Sequence, residues 1–84
     1  MRRPRGFWPE MIVNAYVASG GSAWNDQVYG WIEENAELTD HELSPQASAN
    51  GRPHFVNTVR GIISDMAARG VLTYVEDGLY RVAP

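Results

Sequence analysis

Four side chains that can hydrogen-bond to nucleic acid, His54, Asn57, Thr58 and Arg60, fall within one short stretch. Placed on a helix, Asn57 could reach adenine edges and Arg60 guanine or phosphate, while His54 and Thr58 meet the backbone. Gly61, Ser64 and Ala68 continue the Asn57 face as a ridge of small residues. Gly61 costs such a helix ~1 kcal/mol relative to alanine. Close approach by a phosphate strand or another protein would explain that cost, and so would drift. A merely solvated face is the plainer alternative. Arg2, Arg3 and Arg5 crowd the amino end, where a basic arm can follow phosphates or enter a narrow minor groove, or simply hang free. Arg52 and Arg81 add two further phosphate donors.

No comparable case exists for catalysis. The chain has no cysteine and no lysine, which excludes disulfides, thiolate metal sites and both of those nucleophiles. It carries no glycine-rich phosphate loop and no framed pair of acids. His41 stands between Asp40 and Glu42, yet one histidine among carboxylates on one turn is a weak ligand set. Cap chemistry already accounts for Thr39 and Glu42, and His54 is distant in the sequence. No enzyme activity, metal or cofactor is therefore expected.

The elements that must position these residues are readable from spacing. Pro53 is pre-organised for a first helical turn, and Phe55, Val59, Ile62, Ile63 and Met66 recur as one buried helical stripe. Arg69 and Gly70 close that helix, a cation in the last turn followed by a residue free to take positive φ. Val71–Val75, the turn Glu76-Asp77-Gly78 and Leu79–Val82 then read as a β-hairpin. Upstream, Trp8-Pro9-Glu10 opens a first helix with Met11, Ile12, Ala15 and Tyr16 inward, ended by Gly20-Gly21. Ser22-Ala23-Trp24 fits a short strand beside the hairpin. Asn25 is placed at the N-cap of a second helix buried through Val28, Trp31 and Ile32. Thr39-Asp40-His41-Glu42 fits a capping box on a single turn, with Leu38 and Leu43 as its staple and Pro45 as its stop. A helix feeding a terminal hairpin gives a winged helix-turn-helix, mostly α with a small β-hairpin (α+β). Residues 1–6 are expected as a flexible basic arm and 7–84 as the domain. Trp8, Trp24 and Trp31 are assigned to its core, and Tyr74 and Tyr80 to packing.

Eighty-four residues make one small domain, burying roughly 60% of its unfolded surface. No apolar run approaches the ~18 residues of a membrane span, and no signal-peptide core follows the first arginines. An intracellular, cytoplasmic protein is the expectation. The net charge of −3 is unevenly spread. No arginine lies between Gly6 and Gly51, where Glu10, Asp26, Glu33, Glu34, Glu37, Asp40 and Glu42 accumulate. A bipolar molecule follows, with an acidic side and a mildly basic one.

The order of these pieces resembles the N-terminal winged-helix domain of Mrr-type restriction endonucleases. The resemblance runs through Pro9-Glu10-Met11-Ile12, Gly20-Gly21, Leu38-Thr39-Asp40-His41-Glu42-Leu43, a Ser/Gly-rich loop, Phe55-Val56-Asn57-Thr58-Val59-Arg60 and Arg69-Gly70-Val71-Leu72. Gly61 stands where that family tends to carry an aromatic, and the nuclease domain is absent, so no catalytic residue transfers. What the resemblance implies is the fold and DNA docking. The expected function is a small stand-alone double-stranded DNA-binding protein, regulatory or accessory to a restriction system. Phosphate contacts would come from Arg2, Arg3, Arg5, Arg52 and Arg81, and base contacts from His54, Asn57, Thr58 and Arg60. A homodimer is expected, because one module with few cations would bind weakly. Against DNA stand Glu76 and Asp77 at the hairpin tip. The alternative is a protein-interaction module or inhibitor that engages its partner through Glu33, Glu34 and Glu37 or through the small-residue ridge.

Overall fold

Phe55, Val56, Val59, Ile63 and Met66 form the buried stripe of the longest helix, α4 (His54–Ala68), in a computed structural model that describes residues 3–46 and 51–83. Onto this stripe pack α1 (Phe7–Ala18) through Ile12, Ala15 and Tyr16, and α2 (Asn25–Asn35) through Val28 and Ile32. Ala23 of β1 (Ser22–Trp24) and Leu72 of β2 (Leu72–Glu76) complete the core. The stripe is rotated slightly from the expected one. Val56 is buried, while Ile62 is half-buried and faces a groove between α1 and α4.

Helix ends are set by local chemistry. At the end of α4, Gly70 takes φ 81°, which lets its N–H reach the Ala67 carbonyl at 3.2 Å and the Val71 N–H the Met66 carbonyl at 2.9 Å. α1 ends the same way, with Gly20 bonding Val17 and Gly21 bonding Tyr16. These are paired left-handed caps that satisfy orphan carbonyls and turn the chain out of each helix. The single turn α3 (Asp40–Leu43) carries the expected box, since Thr39 Oγ1 accepts from the Glu42 N–H at 3.1 Å and Glu42 Oε1 from the Thr39 N–H at 2.8 Å. α2 departs from expectation. Asn25 is its first residue rather than its cap, and Gln27 Oε1 instead accepts from the Trp24 N–H at 2.8 Å.

The strands form one antiparallel sheet in the order β1-β3-β2, with β3 spanning Leu79–Val82. Tyr80 lies opposite both Ala23 and Tyr74, on the face that meets the helices. Arg81 lies opposite Ser22 and Thr73, on the other face. The register shifts between Tyr74 and Glu76, so Glu76 belongs to β2 and the turn narrows to Asp77-Gly78. The described residues form a small α+β domain of four helices and a three-stranded sheet. No helix among the described residues is long and apolar enough to cross a membrane.

Two expectations fail on packing grounds. Trp24 is 43% exposed rather than core, because it is the last residue of an edge strand and leans over the turn at Gly78. Trp8 and Trp31 are only partly covered. Residues 3–6 do not form a free arm, since the Pro4 carbonyl accepts from Phe7, the Gly6 carbonyl from Glu10, and Arg3 is ion-paired.

Tyr16 is wholly buried, yet its hydroxyl has no hydrogen-bond partner among the described residues. Burial pushes that hydroxyl's pKa up to about 12. A buried unsatisfied group costs free energy, whereas its removal leaves the ring packing intact. Tyr16→Phe is therefore expected to be as stable as the parent or more stable by about 1 kcal/mol in urea unfolding. A loss of more than about 1 kcal/mol would mean that the hydroxyl holds a bond the structure does not display.

Candidate nucleic-acid interface

The amino end of α2, the middle of α4 and the hairpin turn converge on one open cleft of about 250 Å³. Arg60 enters it from α4, and Arg52 from the segment just before that helix. Tyr29 and the exposed Trp24 give it aromatic walls. The arrangement follows from local bonds. The Asn25 N–H donates to the Gly78 carbonyl at 2.8 Å, fastening the first residue of α2 to the turn. Asn25 Oδ1 is buried and accepts no hydrogen bond among the described residues.

The cleft is electrically mixed. Asp26 and Asp77 line it together with the two arginines, so Asp26 does not belong to a separate acidic side as the sequence pattern implies. Among the described residues the ion pairs are Arg3–Glu42 and Arg69–Asp65. Arg52 and Arg60 thus present unpaired guanidinium groups. Burial raises the Tyr29 hydroxyl pKa, and the positive fields of Arg60 and Arg52 oppose that rise.

The remaining expected contacts divide. Thr58 is exposed on α4, as are Gly61, Ser64 and Ala68. A methyl group added at Gly61 would meet nothing within 4 Å, so no internal contact explains that glycine. Asn57 is half-buried and donates to Gln46 Oε1 at 3.1 Å and the Pro53 carbonyl at 3.4 Å, so its amide is already engaged. His54 is held too. Its backbone N–H donates to the Ser44 carbonyl at 3.1 Å, and Nδ1 lies 2.9 Å from the same oxygen. Its ring lies 4.3 Å, centroid to centroid, from that of His41, a contact between α3 and α4 that sequence distance hides. No group of three or more His, Cys, Asp or Glu able to hold a metal ion occurs among the described residues. Arg5 is exposed near the start of α1, and Arg81 projects from the far face of the sheet. Neither joins the cleft. Arg2 lies outside the described residues.

Arg3 is the clearest departure from the expected DNA contacts. Its Nη2 lies 2.6 Å from Glu42 Oε1 and its Nε 3.0 Å from Oε2, while Nη2 also donates to the Glu37 carbonyl. The guanidinium sits over the Phe7 ring at 4.3 Å. This cation is already paired within the chain. Compared with known proteins, the chain matches no family model, no curated protein and no solved structure.

The Arg3 guanidinium, assisted by the Thr39 N–H, holds the Glu42 carboxyl down to about 2 from its ordinary 4.5, against the opposing effect of burial. A carboxyl whose pKa is lower when folded stabilises the fold above its unfolded value, and that contribution fades as pH falls toward the folded value. Glu42→Gln is expected to cost about 1–2 kcal/mol at pH 7. Its deficit against the parent should shrink as urea unfolding is repeated from pH 5 down toward pH 2. A deficit constant across that range would remove the ion pair from the account.

Proposed function

We propose that this domain binds double-stranded DNA without catalysing a reaction, presenting the outward face of α4 with the flanking hairpin and the start of α2. The carrying observation is the convergence of Arg52, Arg60 and the first turn of α2 beside the hairpin turn. A helix start offers backbone N–H groups and a positive dipole end to phosphate, and unpaired arginines suit both phosphate and guanine. The element order α1-β1-α2-α3-α4-β2-β3 with a β1-β3-β2 sheet accords with a winged helix-turn-helix. In that arrangement α4 is the recognition helix, β2–β3 the wing and α3 an added turn. The contact set narrows to Arg52, Thr58 and Arg60, with Arg5 at the margin. Asn57 and His54 serve to position α4. So few cations make a second copy the expected source of further affinity.

A protein-interaction module is the second reading. It is favoured by Glu33 and Glu34, which are exposed at the end of α2 and make no ion pair among the described residues. Glu37 is exposed beside them, with its carbonyl taken by Arg3.

Fluorescence anisotropy of a labelled duplex separates the two. Under the DNA reading, affinity falls steeply between about 50 and 200 mM salt. Arg52→Ala and Arg60→Ala each weaken binding about three- to tenfold and reduce the salt slope by about one. Reversing Glu33 and Glu34 to arginine would not weaken it. A flat titration at tens of micromolar in low salt would sink the DNA reading.

A further inference from the structure

We propose that the cleft receives a single unstacked nucleotide, its base against Trp24 and its phosphate between Arg52 and Arg60, so that the domain prefers DNA carrying an unpaired base to fully paired duplex. This rests on the DNA reading and specifies which part of the nucleic acid the cleft takes.

Two observations carry it. Trp24 lines the cleft and keeps 43% of its surface exposed, and a methyl group added at Gly78 in the turn would lie 3.8 Å from its ring. An aromatic held open in that way is a stacking platform, and stacking is tolerant of base identity because every base has a π face. Second, the cleft balances Arg52 and Arg60 against Asp26 and Asp77. Those carboxylates limit how many phosphates the cleft can take. One nucleotide suits both signs, offering phosphate to the arginines and base N–H groups to the acceptors. A paired base within an intact duplex has those edges engaged and its faces stacked, so entry requires an unpaired or extruded base.

The test compares two labelled duplexes of one sequence, identical except that one carries a single unpaired bulged nucleotide, by anisotropy at fixed salt. The wild-type protein is expected to bind the bulged duplex about tenfold more tightly, the range that stacking of one base provides. Trp24→Ala should abolish the preference, and Trp24→Phe should retain most of it. Circular dichroism checks that both variants fold; if Trp24→Ala does not, the wild-type comparison still decides. Equal affinity of the wild-type protein for both duplexes would overturn this inference and leave duplex binding standing. A preference that survives in folded Trp24→Ala would also overturn it. Binding to neither DNA would remove the DNA reading together with it.

Discussion

The rotation of α4 about its own axis is the constraint on which the rest depends. One helix has to bury Phe55, Val56, Val59, Ile63 and Met66 against α1, α2 and β2, and each such side chain contributes roughly 1.5–3 kcal/mol when fully covered. Turning the helix by one residue would bring Arg60 or Asn57 toward the core and expose part of that stripe. The apolar side therefore dictates the polar side. With Val56 buried and Ile62 drawn half out, Arg60 stands beside the start of α2 and the hairpin turn, while Thr58 and Gly61 face outward. On the proposed reading function is an outcome of packing, because the same contacts that stabilise the domain aim the proposed recognition groups.

A second constraint sets where α4 begins. The Glu42 carboxylate closes the turn of α3 on Thr39 and simultaneously holds Arg3. Ser44, just after that turn, accepts from both the backbone and the ring of His54. The Gln46 N–H donates to the Arg52 carbonyl at 2.8 Å, and Pro45 bridges to Pro53. Together these bonds close the loop before α4 at its neck and place Arg52 at the cleft. Arg3 and His54 thus act on the site indirectly, one by anchoring α3 and the other by joining it to α4.

Much of the fold is legible in the sequence because it rests on local signals. The Thr39–Glu42 box, the Gly20 and Gly70 caps, the Asp77-Gly78 turn and the short strand at Ser22–Trp24 each arise from chemistry within a few residues. Several departures from the sequence reading share one origin, partners distant along the chain. Arg3 reads as a free cation because nothing near it announces Glu42, 39 positions away. His54 and Asn57 read as recognition residues until Ser44 and Gln46 occupy them. Trp24 reads as core because hydrophobicity does not say that a strand will end at an edge. Asp26 reads as part of an acidic side, but the turn of the chain at β1 carries it to the arginines. Of the expected contacts, Arg60 and Arg52 are those brought together, and the role of Asn25 and Tyr29 beside them has no sequence signal beyond their types.

The central claim is that the outward face of α4 and its flanking cleft form the surface that meets DNA. Amide NMR shifts followed while a short duplex is titrated into the labelled protein test it most directly. The account predicts that the largest changes cluster at Asn25, Asp26, Thr58, Arg60, Gly61 and Gly78. Changes confined to Glu33, Glu34 and Glu37, or to Val13, Ile62 and Met66 along the α1–α4 groove, would contradict it, as would a spectrum that does not move.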